Sequence, residues 1–203
     1  MNAGRFSSEV YAHRLAAAAN GARAAGLAGL VITPGYDLRY LTGSRAQTFE
    51  RLTALVISSS GESTVVLPRM ELVALRESAV ADLGLVVRDW VDGENPYRLV
   101  GQALGGAAAA VAVTDSMPAL HLLPLAELLG VVPVLATGVL AALRMVKDAH
   151  EIEALRTAGA AIDRVHAQVP QFLRPGRTEA EIAADITNAI VAEGHSEAAF
   201  VIV

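Results

Sequence analysis

Short apolar blocks, cut repeatedly by glycine, proline and charge, run along this chain of 203 residues, and their spacing predicts alternating helices and strands. From Ser8 to Ala25, Val10, Leu15 and many alanines are interleaved with Glu9, Arg14 and Arg23, which predicts an amphipathic helix capped by Ser7 or Ser8 and stopped by Gly26. Leu27 to Thr33 is a short apolar run between Gly26 and Pro34 and predicts a buried strand, followed by a turn at Pro34-Gly35-Tyr36-Asp37. Leu52 to Ser58 and Ser63 to Leu67 flank a small-residue turn, the pattern of an antiparallel β-hairpin. Beyond it, helix-like and strand-like stretches alternate: Glu71 to Val80, Leu85 to Asp89, Pro96 to Leu104, Ala109 to Val113, Pro118 to Leu129 and Val131 to Leu135. The expected fold class is α/β, a mixed β-sheet with helices on its faces.

The pattern changes after Thr137. Residues 1–137 are expected to form one domain, 138–147 a linker, and 148–203 the start of a second domain. Asp148 with Glu151 makes a capping box that opens a helix with apolar positions Ile152, Leu155, Ala158, Ile162, Val165 and Val169, closed by Pro170 and Pro175-Gly176. Thr178 with Glu181 makes a second, opening a helix striped by Ile182, Ile186, Ala189 and Ile190 and ended by Gly194. Ala198 to Val203 is β-prone. One strand cannot cover two helical stripes and its own two faces, so the missing surface is expected from a continuation of the chain or from another polypeptide.

Composition narrows the chemistry. No stretch approaches the roughly 20 apolar residues of a spanning helix, and the amino terminus has no apolar core leading to a small-residue cleavage site. The absence of cysteine excludes disulfides, thiolate metal sites and a cysteine nucleophile, and a soluble, cytoplasmic protein is expected. With a net charge of −5 and scattered basic residues, there is no footprint for nucleic acid. No Gly-x-Ser-x-Gly, phosphate loop or dinucleotide fingerprint occurs. Asp163, His166 and Asp185 lie on the two late helices, where a solvated polar face explains them. His150 fits an exposed first-turn position, and His13, His121 and His195 have no spaced partner.

Arg144-x-Val146-Lys147-Asp148-x-x-Glu151-Ile152-x-x-Leu155-Arg156-x-Ala158, then Pro175-Gly176-x-Thr178-Glu179-x-Glu181-Ile182, resembles the opening of the catalytic domain in the prolidase and aminopeptidase P family. Upstream, Asp37-Leu38-Arg39-Tyr40-Leu41-Thr42-Gly43, then Glu50-Arg51 entering a strand, looks like the amino-terminal domain shared by creatinases, prolidases and aminopeptidases P. The resemblance implies a pita-bread second domain with two divalent metal ions (Mn, Co or Zn) held by two aspartates, a histidine and two glutamates. All five are expected downstream of Val203, so no catalytic or metal residue is assigned within this chain, which is expected to be inactive alone. The implied parent is a metal-dependent Xaa-Pro dipeptidase or aminopeptidase. A creatinase-like amidinohydrolase parent and a non-enzymatic dimerisation or binding module are the alternatives.

The family is commonly dimeric, with the amino-terminal domain of one subunit bordering its neighbour's active site. On that basis the candidate segment is Tyr36 to Arg51. Tyr36 and Tyr40 offer surfaces for a proline ring, Asp37 is a further contact candidate, and Arg51 could hold a substrate carboxylate through two parallel hydrogen bonds. Two plainer roles stay open: Tyr40 as core, and Arg51 paired with Glu50 or another acid at the strand entrance. Arg45 is a loop charge, and Arg144 and Lys147 are expected to fix the linker, Lys147 by pairing with a carboxylate.

Overall fold

The computed structural model describes residues 6–47, 50–106 and 109–203. Residues 48–49, inside the candidate segment, lie outside them. The chain divides into two units, one ending at Met145 and one beginning at Val146.

The first unit runs α1 (Ser8–Ala24), β1 (Gly29–Ile32), α2 (Tyr36–Thr42), β2 (Ala54–Ser58), β3 (Ser63–Pro68), a 3-10 segment (Arg69–Glu77), β4 (Val86–Trp90), α3 (Pro96–Ala103), β5 (Val111–Val113), α4 (Ala119–Leu129), β6 (Val134–Leu135) and α5 (Thr137–Met145). The strands form one sheet in the order β4-β3-β2-β1-β5-β6. Only β2 is reversed: it pairs antiparallel with β1 and β3, while β1–β5, β5–β6 and β3–β4 are parallel.

The two-residue period of a strand sorts the sheet's side chains onto two buried faces. Leu30, Ile32, Leu55, Ile57, Val65, Leu67 and Ala112 meet Leu15, Ala18, Ala19 and Ala22 of α1, Leu38 and Leu41 of α2, and Leu140 of α5. Val31, Ala54, Val56, Val66, Val111 and Val113 face Val100 and Leu104 from α3 and its cap and Leu125 of α4. Alanine-rich α1 can lie close to its neighbours. A Cβ on Gly21 would come 2.7 Å from Val139 Cγ1, so glycine there admits α5.

Several expected elements change. The 138–147 linker is helical as far as Met145 and buries Leu140 on the sheet, so the apolar pattern after Thr137 closes the first unit. The helix-like stretch from Glu71 is a 3-10 segment only as far as Glu77, with no residue of Arg69–Glu77 buried, so a regular helix there would gain little packing energy. β6 has two residues, because Pro133 offers no amide hydrogen to the ladder. Arg14, read as part of a polar helix face, is buried.

In the second unit α6 (Ala149–Phe172) and α7 (Glu179–Ala192) pack together through Ala161, Val165, Ile182 and Ala189. Both capping boxes form. Asp148 Oδ1 accepts from the Glu151 amide at 2.8 Å and Glu151 returns the bond at 2.9 Å; Thr178 and Glu181 do the same at 3.3 and 2.8 Å. Pro170 sits in the last turn of α6, where a missing N–H costs one bond, and the helix continues to Phe172. Residues 198–203 are not a strand: a strand exists through its ladder, and no described residue pairs with them. Leu155, Phe200 and Ile202 are exposed. No helix among the described residues is long and apolar enough to cross a membrane.

Candidate functional site

The reversal of β2 collects the candidate residues at one edge of the sheet. Five strands end there, and the chain entering β2 starts there, so α2 after β1, Arg51 before β2, Arg69 after β3 and Asp92 after β4 share it. In open α/β sheets ligands bind outside the carboxyl ends of the strands, where the order changes direction. Here the chain moves from β1 outward through β2 to β4, then returns to the other side of β1 as β5.

α2 has an inward grip and an outward face. Gly35 precedes it and Gly43, at φ +72°, ends it in the left-handed conformation. A Cβ on Gly43 would come 2.7 Å from Tyr11 Oη, so the glycine also allows α1 to approach. Buried Arg14 donates to the Tyr40 carbonyl at 2.8 Å, and its guanidinium lies 4.0 Å from the Tyr40 ring centre, 4.7 Å from Phe6 and 5.5 Å from Tyr11. That aromatic surround compensates a buried cation. Tyr40 Oη donates to the Leu143 carbonyl at 3.2 Å, and Asp37 accepts from Arg144 at 2.6 Å, so two contacts tie α2 to the end of α5. Tyr40 and Asp37 are thus engaged with the unit's own interior. Tyr36 is 73% exposed and projects freely.

Arg51 stands apart from that grip. Its Nε and Nη2 donate to the two oxygens of Asp92 at 2.9 and 2.8 Å, and Nη1 donates to Glu50 at 2.6 Å. The ion-pair role left open for Arg51 is therefore filled by both acids. Hydrogen bonding to Arg51, then its charge, holds the Asp92 carboxyl below its ordinary range, and the same contacts raise Arg51. Neighbouring residues fix the backbone: Trp90 Nε1 donates to the Leu52 carbonyl at 3.0 Å and Thr53 donates to Glu71 at 3.0 Å. Farther along the edge Arg69 pairs with Asp89 at 2.5 Å, lowering the Asp89 carboxyl through that hydrogen bond.

No group of three or more metal-ligating side chains occurs among the described residues. Asp185 of the second unit accepts from Arg177. His121 is buried with Nδ1 3.1 Å from Tyr97 Oη, and burial raises the Tyr97 hydroxyl. A cavity of about 600 Å³, lined by Leu15, Thr64, Leu85 and Leu99 among others, opens at the opposite edge, where β3 and β4 begin, away from Arg51.

The sequence reading did not identify Asp92, Trp90 or Arg14 as supports. Asp92 lies 41 residues from Arg51, and Arg14 lies 26 from Tyr40. No local spacing signals either pair.

Comparison with known proteins identifies the fold. The chain is 71% identical over all 203 residues to a protein named "Probable dipeptidase PepE" in Mycobacterium tuberculosis and covers 54% of it. The crystal structure of dipeptidase PepE from Mycobacterium ulcerans superposes with a TM-score of 0.92 at 73% identity, over 98% of this chain and 54% of that one. A recombinant prolidase from Thermococcus sibiricus gives a TM-score of 0.80 at 26% identity, over 97% of this chain and 53% of that one. The chain therefore spans about half the length of these relatives. Residues 14–146 match the creatinase/prolidase N-terminal domain, and the chain belongs to that family.

Proposed function

We propose that this chain is the amino-terminal part of a metal-dependent dipeptidase of the Xaa-Pro type, which hydrolyses the peptide bond before proline. The observation that carries the proposal is the 71% identity, over all 203 residues, to a protein named as a probable dipeptidase. The described residues offer no cluster fit for a metal ion, so no step of metal chemistry is assigned to them. Two divalent ions, Mn, Co or Zn, belong in this proposal to residues outside the chain, and the chain alone is inactive.

The contribution of the present residues is recognition. In a homodimer the carboxyl edge of the first unit would border the neighbour's substrate, with Tyr36 as a ring surface and Arg51 as a cation for a free carboxylate. Asp37 and Tyr40 would hold α2 in place through Arg144, Leu143 and Arg14.

The test is hydrolysis of a set of Xaa-Pro dipeptides by the whole gene product, before and after chelation. Hydrolysis lost on chelation and restored by Mn²⁺ supports the proposal. Activity that survives complete metal removal, or hydrolysis of creatine instead of dipeptides, overturns it. Metal-dependent turnover by the isolated 203 residues overturns the placement of the metal ligands.

A further inference from the structure

Arg51 carries two carboxylates, and their geometries differ. Asp92 takes the side edge of the guanidinium in a two-bond fork, Nε to Oδ1 and Nη2 to Oδ2. Glu50 takes one bond, on Nη1. A guanidinium has five N–H groups. These three contacts leave one on each terminal nitrogen.

The two acids also differ in how the chain holds them. Asp92 lies in a closed turn, where the Glu94 amide donates to the Val91 carbonyl at 3.0 Å and the Val91 amide donates to the Glu94 side chain at 2.9 Å. Two residues earlier, Trp90 grips the Leu52 carbonyl beside Arg51. The end of β4 therefore fixes both the side chain of Arg51 and the backbone next to it. Glu50 is simply the preceding residue, and Arg51 is its only partner among the described residues. Both acids are mostly exposed, at 71% for Asp92 and 69% for Glu50, whereas the Arg51 side chain keeps 29% of its surface, so a ligand reaches the cation by displacing the exposed Glu50.

We propose that these carboxylates have opposite roles in reading a free substrate carboxylate: Asp92 positions the Arg51 guanidinium, and Glu50 occupies the place that the α-carboxylate of a short peptide takes. The inference rests on the dipeptidase proposal above. A planar guanidinium locked along one edge presents its other edge in a fixed direction, which suits two-bond capture of a carboxylate and lowers the ordering cost of binding. Glu50 is a tethered carboxylate on that cation and competes with the incoming one. A loop cation held only to neutralise its neighbours would give both acids the same sign of effect. The proposed roles give opposite signs.

The test compares wild type, D92N and E50Q in the whole gene product, using an Xaa-Pro dipeptide and its carboxamide. The expected result for D92N is a KM for the free acid raised about tenfold, because the guanidinium loses its fixed direction. For E50Q it is a KM lowered about threefold, because the competitor loses its charge. The acid-to-amide ratio of kcat/KM should therefore fall in D92N and rise in E50Q. Both substitutions keep side-chain size at exposed positions, and circular dichroism of each variant confirms the fold. Equal ratios in all three proteins, or shifts of the same sign in both variants, overturn the inference while the dipeptidase proposal stands. If wild type hydrolyses neither substrate, both fall together.

Discussion

Gly43→Ala isolates how much the seating of α2 depends on a single missing methyl group. Two costs combine. Alanine at φ +72° enters the left-handed region at a penalty of about 1 kcal/mol. Its Cβ would also lie 2.7 Å from Tyr11 Oη and 3.1 Å from Tyr11 Cζ, against a ring only 2% exposed that packs on Phe6 and surrounds Arg14. Overpacking of that kind costs about 1–3 kcal/mol, so the total expected loss is about 2–4 kcal/mol. Gly26→Ala is the internal control: its φ is +69°, but nothing lies within 4 Å of its Cβ, so it should cost only the backbone share of about 1 kcal/mol. Urea unfolding of both variants, followed by circular dichroism, measures the difference. Tyr11→Phe removes the nearest obstructing atom, so the double variant Tyr11→Phe/Gly43→Ala should lose less than the sum of the single changes. If Gly43→Ala and Gly26→Ala destabilise equally, α2 is not held by close approach to Tyr11.

Other consequences can be checked separately. Ile57→Ala removes a fully buried side chain from the face shared by α1 and the sheet and should cost about 2–5 kcal/mol in the same unfolding assay. Trp90→Phe keeps much of the packing but leaves the Leu52 carbonyl without its donor, so a loss of about 1–3 kcal/mol is expected, with faster amide exchange around residues 51–53. The Asp92 carboxyl is lowered in the folded state by Arg51, so its stabilisation is fully present above the unfolded value of about 3.9 and is lost as pH falls through the lower folded value. The gap in thermal midpoint between wild type and D92N should therefore be open at neutral pH and close in strong acid, and a gap that widens on acidification would contradict the assigned pairing.

The elements legible in the sequence were those with local causes. Both capping boxes form with the expected partners, because a cap and its return bond span only three residues. The β2–β3 hairpin follows from two β-rich runs around a small-residue turn. The turn expected at Pro34-Gly35-Tyr36-Asp37 gives way to α2, because seven residues between two glycines are too few to show helical periodicity. Met145 replaced Thr137 as the end of the first unit because the stretch between them carries an apolar residue, Leu140, whose destination only the folded sheet reveals. Arg14 shows the same limit from the other side. A charge inside an alanine-rich helix reads as solvated, yet three aromatic rings and a carbonyl from another helix make its burial tolerable.

The direction of one strand explains why the candidate residues share an edge at all. If β2 ran parallel to β1, a crossover would carry the chain back across the sheet, and Arg51 would enter β2 at the opposite end from α2. With β2 reversed, Arg51 enters β2 at the same edge that carries α2, and the following β3 and β4 return Trp90 and Asp92 to it. The parallel pairing of β3 with β4 then sets the register, Leu67 beside Asp89 and Pro68 beside Trp90, that brings the strand end to the level of Leu52. A slip of one residue in that register would turn Trp90 from the buried face to the other side of the sheet. It would remove the bond to Leu52 and move Asp92 away from the guanidinium. The fork on Arg51 is therefore a consequence of strand register, and a substitution that loosens β4 should disturb Arg51 even though it touches neither acid.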